Sequence, residues 1–242
     1  PEVPLVVPEV NPQAILKHKG IIANPNCSTI IMVMALKPIY DLAKIKRVIV
    51  STYQAVSGAG KEGIDELDAQ VRDHSEGREM TANILPSASA EKHYPIAFNL
   101  IPQIDVFCDN LYTKEEMKMV NETKKIMEDY EMRITATTIR VPVYRSHSES
   151  VNIELEKEVD LGAMREALAK FPGVTVQDDP SKQEYPMPLY TSEKDDVYVG
   201  RLRRDESCEK SYNIWVVGDQ IRKGAALNTL QIAETMIKNG WI

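Results

Sequence analysis

Apolar positions change their spacing several times along the chain, and each change marks an expected element. The nearly unbroken apolar run in "STIIMVMALKPIYDLA" has the length of a helix over about 29–43, in spite of Pro38. "IKRVIVSTYQAVSGAG" opens with β-branched residues, which suit a strand, and closes in a glycine-containing loop. In "KEGIDELDAQVRDHSEG", Ile64, Leu67 and Val71 fall on one helical face with charges opposite. "YTKEEMKMVNETKKIMEDY" is the clearest helix. Thr113 and Glu116 have capping-box spacing, and Met117, Val120, Ile126 and Met127 supply an apolar side. "MRITATTIRVPVYRSHSESVNIELE" predicts two strands joined near 146–148. "DLGAMREALAKFPG" follows as a short amphipathic helix, and "SYNIWVVGD" as a strand. "IRKGAALNTLQIAETMIKNG" is a helix that aligns Ala226, Leu230, Ala233 and Ile237. Two short strand candidates, "PLVVPEV" and "KGIIANP", precede the first helix. The stretch 80–105 is irregular and proline-bearing, an excursion over the surface or into a partner subunit.

Strands and helices mix without regular βαβ alternation, so the expected fold class is α+β with a mixed sheet. The 242 residues suffice for one large domain or two small ones, and 43% hydrophobic with 27% charged residues is ordinary for a soluble globular protein. A net charge of -7 argues against nucleic acid or an anionic membrane as the main partner. No apolar run reaches the length of a membrane span, and the first residues do not read as a signal peptide. Cys27, Cys108 and Cys208 are odd in number and widely spaced. They fit neither a disulfide framework nor a zinc site, so no bound metal is expected and a reducing cytoplasm is the expected setting. No G-x-G-x-x-G occurs, so a nucleotide-binding βαβ unit is not expected within this sequence. The opening "PEVPLVVPEVNPQAI" reads like the middle of a domain.

Chemistry concentrates around Cys27. It follows an Asn24-Pro25-Asn26 turn, and Ser28 and Thr29 are candidate caps for the helix, which puts a thiol at a helix N-terminus. There the helix dipole is expected to lower its pKa, although a small buried residue without chemistry is the competing reading. Of the four histidines, His18 sits in a lysine-flanked surface turn, His74 near a helix end and His93 in a loop, whereas His147 falls at a strand junction among hydroxyl residues. It is either a cleft residue or an exposed turn histidine. Arg140 lies inside an apolar strand, where a guanidinium needs an anion, from a substrate or from a structural salt bridge. Glu115 and Lys118 share a helix face, as an ion pair at least. Gln54 ends a strand before a flexible loop, suited to orienting a ligand or simply to turning the chain.

As a set, "PLVVPEVN", "NPNCST", "STYQAVSGAGKEG", "NLIPQID", "EEMKMVNETKKIM", "IRVPVYRSHSESV" and "IRKGAALNTLQIAE" resemble the aspartate-semialdehyde dehydrogenase family, in family order across essentially the whole chain. The resemblance implies NADP-dependent interconversion of β-aspartyl phosphate and aspartate semialdehyde, with release or uptake of phosphate, ahead of the lysine, methionine and threonine branches. It implies Cys27 as the nucleophile that forms a thioacyl enzyme, His147 as general acid/base, and Gln54 as an orienting group. Arg140 is expected at the substrate carboxylate, Glu115 at its ammonium group, and Asn26 and Lys118 at the phosphate. Ser57, Gly58 and Gln220 are expected at the cofactor, although Gln220 stands where the family usually has Asn.

The implied fold resembles the C-terminal domain of glyceraldehyde-3-phosphate dehydrogenase-like proteins, in a homodimer or homotetramer. By that resemblance 1–26 is the last portion of a Rossmann-like NADP domain, 27–217 the catalytic and dimerisation domain, and 218–242 a helix that packs back on the NADP domain. The chain as it stands is then expected to bind NADP poorly and turn over little substrate, with the apolar stripe of its last helix uncovered. Related readings are another cysteine-dependent acyl reductase, acting on N-acetylglutamyl phosphate or malonyl-CoA, and a non-catalytic dimerisation module. Arg140 with Glu115 favours a free amino acid over either rival substrate.

Overall fold

One apolar helix laid across one mixed sheet makes the core. The computed structural model describes residues 2–242. Six strands, β1 (Ile45–Gln54), β2 (Arg133–Arg140), β3 (His147–Leu155), β4 (Val174–Val176), β5 (Val197–Arg204) and β6 (Ser211–Gly218), form a sheet in the order β2-β1-β3-β6-β5-β4. The pairs β1/β2 and β4/β5 are parallel, and the other three are antiparallel. The helices are α1 (Cys27–Leu42), α2 (Lys61–Ser75), α3 (Lys114–Ile126), α4 (Leu161–Lys170), the single turn α5 (Pro188–Thr191) and α6 (Leu227–Asn239). The α+β class with a mixed sheet is as the sequence led us to expect.

Period-2 burial sorts the sheet into two faces. Val48, Val50, Val151, Ile153, Tyr212, Ile214 and Val216 point inward and pack under α1, whose Ile30, Ile31, Met32, Val33, Met34 and Leu36 are fully buried. The opposite face carries half-buried Ile49, Tyr53 and Trp215 and exposed Ser150, with the Tyr53 and Trp215 rings 5.7 Å apart.

Local expectations differ from the structure in four places. Asn26, and not Ser28 or Thr29, caps α1, its side-chain oxygen accepting from Thr29 N at 3.1 Å. "PLVVPEV" and "KGIIANP" are not strands but touch through one bridge, Leu5 to Ala23. The inward faces of α2 and α3 are rotated from the apolar stripes, because polar residues find partners inside. On α2, Glu66 accepts from Asn83 N (2.6 Å) and Ile84 N (2.9 Å), and Gln70 Oε1 accepts from Ile96 N (2.8 Å) and Ala97 N (3.0 Å). These bonds satisfy backbone groups of the irregular stretch 80–105, which has no ladder to do so. On α3 the capping box forms, and Glu116 Oε1 also accepts from Thr138 N of β2 at 3.0 Å, fixing the helix to the sheet. Finally, a π-helical turn, Arg222–Ala226, leads into α6.

Candidate active site

The inward positions at one end of the sheet are polar. Gln54 and Arg140 end the parallel strands β1 and β2 in register with one another, and His147 begins β3 opposite Gly218. All three face the side on which α1 lies, and none is more than 3% exposed. Glu115, in the first turn of α3, closes the gap to α1. Its Oε1 accepts from Gln54 Nε2 at 3.3 Å and from Asn26 Nδ2 at 2.8 Å, and Asn26 caps the helix that begins with Cys27. Lys118 Nζ reaches Glu115 at 3.4 Å and Asp105 at 3.2 Å, so the expected ion pair exists and has a second acid.

Ala55 holds the other half of the cluster. Its carbonyl accepts from Arg140 Nη1 at 2.8 Å, and its N–H donates to His147 Nδ1 at 3.0 Å. Arg140 Nε and His147 Nε2 are buried and have no hydrogen-bond partner among the described residues. Gly58 allows this packing, since a Cβ there would stand 2.6 Å from Arg140 Nη1 and 3.4 Å from His147 Nε2. Polar atoms left unpaired in a buried pocket are costly unless a ligand meets them.

The electrostatics depart from one expectation. Burial, with Glu115 adding to it, pushes the Cys27 thiol up to about 12, against the pull of Arg140 and of the neighbouring Ser28. The helix N-terminus does not make the thiol acidic in the unliganded site, because desolvation of a thiolate outweighs it. Burial first, and then Arg140, holds His147 well below its ordinary value of 6.5, so the imidazole is neutral. Burial also lowers Arg140, which Glu115 and Cys27 oppose.

Ser57 and Gln220 form a closed unit beside Gly58. Gln220 Nε2 donates to Ser57 Oγ, and Gln220 Oε1 accepts from Ser146 N at 3.0 Å. That bond steadies Ser146, which has φ +69°, immediately before His147. The remaining histidines lie elsewhere: His18 accepts from Gly20 N, His74 stacks on Phe98, and His93 Nε2 lies 3.2 Å from the Ser87 carbonyl oxygen.

Three contributors escaped the sequence reading. They are the Ala55 backbone; Glu122, which accepts from Asn26 N at 2.7 Å; and Gly224, packed against Cys27. The glycine in "RKGAALN" was the one available signal. A thiol, a neutral imidazole, a guanidinium and a carboxylate clustered at one end of the sheet have the chemistry to bind a small zwitterion and transfer an acyl group to sulfur.

Comparison with known proteins agrees with this chemistry. The family model described as "Semialdehyde dehydrogenase, dimerisation domain" matches residues 36–223. The aspartate-semialdehyde dehydrogenase of Aquifex aeolicus is 55% identical over 244 aligned residues, covering 100% of this chain and 70% of that protein. That of Bacillus subtilis is 52% identical over 97% of this chain and 68% of its own length. The crystal structure of aspartate semialdehyde dehydrogenase II from Vibrio cholerae, complexed with ASA, superposes with a TM-score of 0.91 at 46% identity. It covers 98% of this chain and 68% of that one. With a family model over most of its length and relatives about half identical from end to end, the chain belongs to the aspartate-semialdehyde dehydrogenase family.

Proposed function

We propose that this chain carries the substrate-binding and acyl-transfer centre of an NADP-dependent, phosphorylating aspartate-semialdehyde dehydrogenase, an oxidoreductase of amino-acid biosynthesis. The observation that carries the reading is the run of bonds from Asn26, next to Cys27, through Glu115 to Gln54, whose strand partner Arg140 shares the Ala55 backbone with His147. A zwitterion needs both signs of charge close together, and Glu115 with Arg140 supplies them. Arg140 takes the α-carboxylate on its unpaired Nε edge, and Glu115 takes the ammonium group. Cys27 Sγ attacks the β-carbonyl carbon of β-aspartyl phosphate, and Gln54 orients the acyl group. Lys118, half-exposed at the rim, meets the phosphate. Asn26 joins it only by releasing Glu115, since both ends of its amide are engaged. Arg140 with Glu115 favours this free amino acid over an acylated amine or a coenzyme A thioester.

NADP would meet Ser57, Gly58 and Gln220. Gly58 lets the backbone pack directly against Arg140 and His147, and the Ser57 hydroxyl keeps its own proton to donate. These residues fit the nicotinamide end, and when bound the cofactor supplies or accepts a hydride.

The packing of the outer segments supports the division at 26 and 218. Val6, Ala14 and Ile15 share a small core with Ile232 of α6, whereas Leu16, Ile21, Leu230 and Ile237 are exposed. We assign that exposed surface to contact with a nucleotide-binding portion, and the open sheet face around Tyr53 and Trp215 to a homodimer. Three free cysteines suit a cytoplasmic setting.

The test needs no cofactor. Incubated with β-aspartyl phosphate, the chain should gain the mass of one aspartyl group on Cys27, and Cys27→Ser should gain none. Acylation at another residue, or none at saturating substrate, would overturn the reading.

A further inference from the structure

Four bonds fix Asn26, the residue immediately before Cys27. Its carbonyl accepts from Ile30 N at 3.0 Å and its Oδ1 from Thr29 N at 3.1 Å, both within the first turn of α1. The other two reach across to α3. Nδ2 donates to Glu115 Oε1 at 2.8 Å, and the main-chain N–H donates to Glu122 Oε2 at 2.7 Å. Pro25 has no N–H, so that of Asn26 is the only main-chain donor between Asn24 and the helix.

Glu115 and Glu122 stand two turns apart on one face of α3 and hold different parts of Asn26. Glu115 holds the side chain, a bond that must break before Nδ2 can turn to a phosphate. Glu122 holds the main chain, which that exchange does not touch. Cys27 is also backed by Gly224, packed so closely that a Cβ there would stand 2.9 Å from the Cβ of the cysteine. The charge of Glu122 is not what this place asks for. Burial raises its pKa, the Asn26 N–H opposes the rise, and the charge of Glu115 adds to it. What the place requires is an acceptor on a side chain of this length.

We infer that Glu122 is a positioning residue for the nucleophile: it anchors the main chain just before Cys27, so that Asn26 can exchange its side-chain partners while the sulfur stays aimed at the acyl carbon. Glu122 touches neither substrate nor sulfur, and its role rests on the acyl-transfer reading above only for the step that it serves.

Two variants separate the accepted bond from bulk and helix preference. Glu122→Gln keeps an oxygen for Asn26 N, whereas Glu122→Leu suits a helix equally well and has no acceptor. With β-aspartyl phosphate, the saturating rate of aspartyl transfer to Cys27 should fall roughly tenfold or more in Glu122→Leu, because a small misplacement of a reacting group is costly. The half-saturating concentration should stay within about twofold of the parent, and Glu122→Gln should keep its rate within about threefold. A parent-like rate in Glu122→Leu, equal losses in both variants, or a loss confined to half-saturation would overturn the inference.

Two further readouts need no acyl transfer. In Glu122→Leu the Asn26 amide proton should exchange roughly tenfold faster or more, and alkylation of Cys27 by the neutral reagent iodoacetamide should change several-fold. Glu122→Gln should match the parent in both. If Glu122→Leu does not fold, Glu122→Gln decides alone, and a change in either readout without the other would overturn the inference. A parent chain whose variants behave as expected in these two readouts, but which takes no acyl group from β-aspartyl phosphate, would instead refute the proposed function.

Discussion

Gly224 lies directly against the nucleophile: a Cβ built on it would stand 2.9 Å from the Cβ of Cys27 and 3.2 Å from its Cα. Its φ is not in the positive region, so glycine is needed here for close approach and not for backbone freedom. Gly224→Ala should therefore push the π-helical turn away from the first residue of α1. Overpacking of this kind costs about 1–3 kcal/mol. Urea unfolding should register that loss, and the alkylation rate of Cys27 should change by several-fold as its burial changes. Unaltered stability together with an unaltered rate would show that the contact has slack.

The residue before it makes the strongest tie between the two ends of the chain. Lys223, 1% exposed, donates to Glu9 at 2.6 Å, to Gln231 Oε1 at 2.7 Å and to Asn228 Oδ1 at 3.1 Å. Burial lowers its pKa, and Glu9 opposes that. Removing only the acid strands a buried ammonium, which typically costs about 3–5 kcal/mol, whereas removing the lysine leaves a carboxylate that is 11% exposed and can be met by water. Glu9→Ala should be the more damaging of the pair, with Lys223→Met closer to the parent in urea melts. The reverse ranking would mean that Gln231 and Asn228 satisfy the lysine alone.

How much of this could be read from the letters depended on how local the cause was. The capping box of Thr113 and Glu116 was legible because both partners lie within one turn, and the α1 run because its length and apolar content leave few choices. Strand β5 was not. Its alternation breaks at a bulge between Gly200 and Arg203, with Arg201 at φ +52°, so no period-2 pattern marks it in the sequence. The inward turn of Glu66 and Gln70 was hidden for another reason, since their partners are backbone groups of a distant irregular stretch. Within the site, the residue types of Cys27, Arg140, Gln54, Glu115 and His147 were visible through the family resemblance. The acidity of Cys27 was misjudged because desolvation depends on what surrounds the sulfur, which no local pattern encodes.

Glu116 links the legible cap to the site. Its Oε2 accepts from Thr113 N at 2.7 Å and its Oε1 from Thr138 N at 3.0 Å, all in buried surroundings. Glu116→Ala leaves two buried N–H groups unpaired, each worth about 1–3 kcal/mol. Thr113→Ala removes only the cap acceptor, worth about 1 kcal/mol. Denaturation midpoints should fall in that order. Because the next residue toward the helix start is Glu115, Glu116→Ala should also weaken binding of aspartate semialdehyde by calorimetry more than Thr113→Ala does. Equal effects of the two variants would dissociate the cap from the site.

Glu149 makes the sharpest prediction about pH. It points inward between Thr52 of β1 and Val216 of β6, fully buried, and neither carboxyl oxygen has a hydrogen-bond partner among the described residues. Burial drives its pKa well above the ordinary 4.5, so it is a neutral acid in the fold. Above pH 4.5 the unfolded chain has released this proton and the native chain has not, so stability falls as pH rises until the folded pKa is passed. His147 works the other way. Its folded pKa lies below 6.5, so the unfolded state binds the extra proton and stability falls as pH drops below that value. Between 4.5 and 6.5 the two slopes oppose each other, and above 6.5 that of His147 is gone while that of Glu149 persists up to its folded pKa. Glu149→Gln should thus gain on the parent as pH rises, by about 1 kcal/mol per pH unit until the folded pKa of Glu149 is reached. Urea unfolding of both proteins at about pH 5.5, 7 and 8.5 measures the difference. A gap that stays constant across that series would mean the carboxyl is ionised in the native state, with a cation or water that neutralises it.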